Sequence, residues 1–156
     1  MMSMLTLSTM NDHSTSKCSV LLLALCLGVG PASEAAELTV RILAPEDAGG
    51  QVACSVHAEA EGFPESGPKE LRRTAPWAPG GVTLVFTNLV AGRIAVAASL
   101  DRNENGRLDK GLFGIPKEEW GVSGGARPAM RAPRFEEAAF VLPEGTNTHI
   151  EIRLKR

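Results

Sequence analysis

Apolar and polar residues alternate along several short runs of the chain. In Glu37–Leu43, Leu38, Val40 and Ile42 fall on one side, Thr39 and Arg41 on the other. A period of two is the mark of a half-buried strand. Gln51–Ala58 repeats the pattern, with Val52, Cys54 and Val56 inward, and Ser55 and His57 outward as solvated surface residues. Val82–Leu89 and Arg93–Leu100 are two further strands, and the short turn 90–92 between them predicts a β-hairpin. Phe135–Leu142 opens with helix-forming residues but ends in Ala139–Leu142, which suits a strand. Thr148–Leu154 alternates again, with Ile150, Ile152 and Leu154 inside and His149 outside. Gly and Pro clusters separate these runs. Glu61–Gly81 predicts a long connection with a helical turn near Lys69–Arg73, and Gly121–Pro133 predicts irregular backbone. The sum is an all-β fold, a single small β-sandwich of prealbumin/immunoglobulin-like, Greek-key type. Val40, Cys54, Val56, Leu84, Phe86, Val96, Ile150 and Ile152 should share its core.

The first residues do not belong to that pattern. Ser19–Gly30 is an uncharged apolar run with Lys17 before it and small residues after it, the order of a secretory signal. Residues 1–35 are expected to be a signal peptide cleaved after Ala35, leaving 36–156 as the β-sandwich domain. An uncleaved anchor is the alternative, and Met10 is a second candidate start. Leu25 before Cys26 does not fit lipidation. The protein is therefore expected to be exported, periplasmic or secreted, with no stable membrane insertion after cleavage. Of its three cysteines only Cys54 would remain, so no internal disulfide can form. Cys54 reads as a small buried hydrophobe. A net charge of −2 and an aromatic content of 4% give nucleic acid neither a basic patch nor a stacking surface.

The stretch richest in chemistry is Asp101–Asp109. Oxygen-bearing side chains recur at Asp101, Asn103 and Asn105, Gly106 supplies a sharp turn, and Asp109 closes the loop. With the backbone carbonyl of Arg107, these residues form a candidate Ca²⁺ site, and Leu108 can anchor the loop. The other reading is a polar turn in which Asp101 and the asparagines bond to their own backbone. The twelfth position is Leu112 rather than a bidentate Glu, and a further carboxylate would have to come from Glu104, Glu118 or Glu119. Gly121–Gly125 matches Gly-x-Ser-x-Gly around Ser123, but no α/β alternation surrounds it. The expected role is non-enzymatic, with an envelope or small-molecule ligand as partner. Two alternatives stand beside it: a carbohydrate or peptide binding module using Trp77 or Trp120, and a serine hydrolase using Ser123 with a histidine.

The chain resembles a bacterial family, domain of unknown function family 2141. The residues that carry the resemblance are Gly92–Leu100, the Asp101–Asp109 loop, Phe113–Glu118, Trp120, Gly121, Ser123, Pro133, Phe135, Glu136 and Ala138–Phe140. Phe86, Asn88, Leu89 and Gly92 also resemble the strand-turn-strand of prealbumin-like domains. The family resemblance implies an exported small β-sandwich with no established activity. The chain departs from the family's usual residues at Ile94, Leu100 and Trp120, where Tyr, a polar residue and Tyr are the rule.

Overall fold

The computed structural model describes residues 35–156. The expected signal peptide, apart from Ala35, lies outside the described residues. Among the described residues eight strands form two sheets: β1 (Ala36–Leu43), β2 (Gln51–His57), β3 (Arg72–Pro76), β4 (Val82–Leu89), β5 (Gly92–Asp101), β6 (Trp120–Val122), β7 (Phe140–Leu142) and β8 (Asn147–Arg153). A short helix, α1 (Phe135–Ala138), precedes β7. One sheet has the order β4-β1-β8. The other runs β3-β2-β5-β6, with β7 also paired to β5. The all-β sandwich read from the alternation is the fold observed. Among the described residues no helix is long and apolar enough to cross a membrane.

Each strand's inward face is the one its alternation dictates. Val40, Cys54, Val56, Leu84, Phe86, Val96 and Ile152 meet in one buried cluster, and Ile150 packs against it half-buried. The sequence Phe135–Leu142 divides into helix and strand as its residue types suggested. Burial raises the Cys54 thiol far above its ordinary pKa, which keeps it protonated and inert.

Three expectations are corrected. β4 and β5 are not a hairpin: β4 pairs with β1 and β5 with β2, so residues 90–91 cross from one sheet to the other. Alternation gives each strand an inward face but does not say whether consecutive strands share a sheet. The long connection 61–81 contains an edge strand, β3, paired along Gln51–Ser55 after a 3-10 turn at Lys69–Leu71. Its residues Arg72–Pro76 are mostly exposed, so no apolar face marks it in the sequence. His57 is not solvated. It points away from the core with Ser55, as its register requires, but is only 1% exposed. Phe63 meets its ring edge-on at 5.1 Å between centroids, and the Gly67 backbone lies so close that a Cβ there would come within 3.0 Å of the imidazole.

β5 is consequently covered on both faces. Ile94, Val96, Ala98 and Leu100 face the core between the sheets. On the outer face Ala95 and Ala97 join Val122, Phe135 and Ala138 in a second small cluster.

Candidate functional site

β5 ends at Asp101, and the loop begins where the strand can hold it rigidly. Asp101 is 3% exposed and turns its carboxylate onto its own loop. Its oxygens accept the N–H of Asn105 at 3.1 Å and of Gly106 at 2.6 Å. Asn103 Oδ1 accepts the Asn105 N–H at 3.2 Å, and Asn105 Oδ1 accepts the Arg107 N–H at 3.0 Å. The two asparagine amides donate to opposite oxygens of Asp109, at 2.8 Å from Asn103 and 2.9 Å from Asn105. The Asn105 bond above all, then the Asn103 bond and the nearby charges of Arg107 and Lys117, holds the Asp109 carboxyl below its ordinary pKa. Gly106 makes the turn at φ +83°, where a side chain would be strained.

Two buried glutamates fasten the base of this loop. Glu118 accepts the N–H of Arg102 at 2.8 Å with one oxygen and the N–H of Asp109 at 2.9 Å with the other. It thus ties the two ends of the loop together. Glu119 takes the Arg102 guanidinium in a bidentate pair, both contacts 2.9 Å. That pair, chiefly through its hydrogen bond, holds the Glu119 carboxyl below its ordinary value. Arg72 of β3 donates to the Gly106 carbonyl at 3.0 Å and links the loop's tip to the sheet edge.

The structure therefore brings Asp101, Asn103, Asn105, Arg107 and Asp109 into one compact turn. The side-chain oxygens of Asp101, Asn103, Asn105 and Asp109 already accept N–H groups, so the loop is satisfied by its own hydrogen bonds. Among the described residues no three His, Cys, Asp or Glu side chains converge as a metal-holding group. Leu108 is half-buried and belongs to neither apolar cluster.

The loop does have a place in something larger. It forms one wall of a cleft of about 1030 Å³ over the outer face of the five-stranded sheet. The floor is Ala53 and Ser55 of β2 and Ala97 and Ser99 of β5, with Trp120 of β6 beside them. These small side chains leave the space open. A second wall is the segment 64–67, which also covers His57. The third is 127–133, pinned by Arg131 to Glu137 at 2.6 and 2.8 Å. With the Arg134 N–H as a further donor, the Arg131 bonds hold the Glu137 carboxyl at about 2. Arg127 stacks over the Trp120 ring at 4.2 Å and donates to the carbonyls of Trp120 and Lys155 at 2.7 and 3.0 Å.

The remaining candidates separate. Trp120 lines the cleft, whereas Trp77 packs on the main core, its Nε1 buried without a partner among the described residues. Ser123 is 2% exposed. Its hydroxyl donates to the Ala138 carbonyl at 2.6 Å and accepts the Val96 N–H at 2.9 Å, which fastens α1 to β5. His149 is exposed on β8. The serine next to a histidine is Ser55, its Oγ 3.0 Å from His57 Nε2, and no carboxylate pairs with that histidine among the described residues.

Sequence reasoning missed the Glu118 clamp, the Arg127–Trp120 stack and the burial of His57. Ala53, Ser55, Ala97 and Ser99, small residues at outward positions of two neighbouring strands, were a legible sign of the cleft floor. Nothing local marked which loops would wall it.

Fold and site together define a small all-β sandwich with a loop-walled cleft on one outer face. The chain belongs to the family described as uncharacterized protein conserved in bacteria, DUF2141, whose profile matches residues 40–151. No curated protein and no solved structure matches it.

Proposed function

We propose that this protein is an exported, non-enzymatic binding module whose ligand, a small molecule or a fragment of the cell envelope, seats in the cleft between the 101–117 loop, the 64–67 segment and the 127–133 segment. The observation that carries this reading is the floor of small side chains under about 1030 Å³ of open space, a size typical of ligand pockets. The hydrogen-bonded loop then serves as a rigid, preorganised wall. Ser123, whose hydroxyl joins α1 to β5, is a structural residue in this reading rather than a nucleophile. The start of β1 at Ala36, directly after the expected cleavage point, supports export of a complete sandwich. Trp120 gives the cleft a stacking surface, which keeps carbohydrate and peptide among the ligands to test.

Amide NMR titration of the purified protein with chitooligosaccharide, a peptidoglycan stem peptide and decanoate tests the proposal. Shifts should concentrate at Ala53, Ala97, Ser99 and Gly121, and Ser99→Phe should abolish them. Shifts centred on Trp77, or binding untouched by Ser99→Phe, would overturn it.

A second reading, resting on the alternate spacing of Asp101, Asn103 and Asn105 before Gly106 and on Asp109 closing the same turn, has the loop take up Ca²⁺ through Asp101, Asn103, Asn105, Asp109 and the Arg107 carbonyl. Two charged ligands without a closing Glu give an affinity on the order of 10⁻⁴–10⁻³ M. About 1 mM Ca²⁺ would then stabilise by roughly 0.4–1.4 kcal/mol, a rise of about 2–8 °C in Tm for a domain of this size. Equal melting in Ca²⁺ and in chelator eliminates this reading and leaves the cleft proposal standing.

A further inference from the structure

The walls of the cleft are unequal in charge. Arg72, Arg107, Lys110, Arg127, Arg131 and Arg156 line it, against the acidic side chains of Glu65 and Asp109. The whole chain carries −2, so the cations are gathered here rather than inherited from composition. Lys110 pairs with Glu65 and Arg131 with Glu137. Arg72, Arg107, Arg127 and Arg156 form no ion pair among the described residues. A cleft with low-dielectric walls focuses such a field on whatever enters it.

Arg127 is the best placed of these. Two carbonyls and the Trp120 ring fix its guanidinium. Its partners are neutral, so its charge is uncompensated, and its other N–H groups are left for a ligand. A guanidinium fixed in advance loses little freedom when it takes up an oxyanion in its planar fork. Partial burial lowers the Arg127 pKa from its ordinary value, but an arginine remains fully charged at neutral pH.

The rim is also apolar. Ile115 and Met130 line the cleft and are 63% and 95% exposed. Leu112, in the same loop as Ile115, is 83% exposed. Three of the six large hydrophobic side chains exposed on the described surface thus lie on the loops bounding the cleft. Large apolar side chains gathered around a concavity mark contact with an apolar partner, and Met adapts its shape to one.

We infer that the ligand of this cleft is an anionic amphiphile: an apolar body, received by Ile115, Met130 and the Ala/Ser floor, that carries one carboxylate or phosphate group to Arg127. This rests on the cleft being the ligand seat and adds the chemical class of what it takes. A purely polar sugar would leave the apolar rim without a partner, and a neutral lipid would leave Arg127 uncompensated.

Trp120 reports on the site directly. The chain has two tryptophans, so Trp77→Phe makes Trp120 the sole emitter. In that background the purified protein is titrated with decanoate, decyl phosphate, decanol, acetate and inorganic phosphate, all below the micellar range. The two long-chain acids should change Trp120 emission with affinities about tenfold or more above decanol, a difference of about 1.4 kcal/mol. Acetate and inorganic phosphate, which lack the apolar body, should bind far more weakly. Decanoate against decyl phosphate separates a fatty-acid-like from a phospholipid-like source. Arg127→Gln should remove the preference for acid over alcohol, and Arg107→Gln, whose side chain makes no hydrogen bond or ion pair among the described residues, should weaken it. Decanol binding as well as decanoate, with both variants silent, overturns the anionic class while the cleft remains a ligand seat. No response to any of the amphiphiles overturns the inference, and the proposed seat then falls only if the oligosaccharide and stem peptide also leave Ser99 and Gly121 unmoved.

Discussion

Glu118 shows how much one side chain can organise. Its two oxygens hold the backbone N–H groups at both ends of the 101–109 loop. Glu118→Ala would leave those donors without their charged acceptor, and hydrogen bonds to charged groups contribute about 1.5–3 kcal/mol each. Losing both is expected to cost about 3–6 kcal/mol in chemical denaturation, with faster amide exchange at Arg102 and Asp109. Unchanged exchange there would show that the loop closes without the clamp. The neighbouring Glu119 makes a pH prediction. Its folded pKa lies below the ordinary value of 4.5 because of Arg102, so its stabilisation is fully present above pH 4.5 and is lost as pH falls through the folded value. Tm should therefore decline as pH drops below about 4.5, and Arg102→Gln should flatten that decline while lowering Tm at pH 7. The composition of the loop was legible in the sequence, and so was its turn at Gly106. Glu118 was legible only as one of three carboxylates within reach, because the choice among them depends on how residues 110–117 fold back.

At the scale of elements, alternation located the inward faces of β1, β2, β4, β5 and β8, because a strand's period of two is fixed by its pleat. Phe86 of β4 is fully buried against those faces. Phe86→Ala should cost about 3–5 kcal/mol, measured by urea unfolding, and a loss under about 1 kcal/mol would place the side chain outside the core. What alternation could not supply was partnership between strands. β4 and β5 have matching inward faces and a short link, yet Asn88 takes a positive φ of 58° and the chain passes to the opposite sheet. His57 failed for a related reason. Its register was right, but the cover came from Phe63 and Gly67 in a segment with no periodicity of its own.

For the whole molecule, the two-sheet architecture and its family followed from the sequence, whereas the cleft emerged only when three distant loops were brought over one sheet face. Export remains a matter for the mature protein: Edman sequencing of it should begin at Ala36, and a chain still starting at Met1 or Met10 would exclude cleavage after Ala35. The seam between β1 and β8 would set a timetable for the proposed export. β1 sits at the centre of its sheet, and β8 lies parallel beside it with Glu37 opposite Asn147, a separation of 110 residues. The sheet therefore cannot close until β8 has been synthesised, and pairing so distant in sequence forms slowly. Were the protein exported as proposed, a chain in which this seam is still open is the form that could be threaded through a narrow pore.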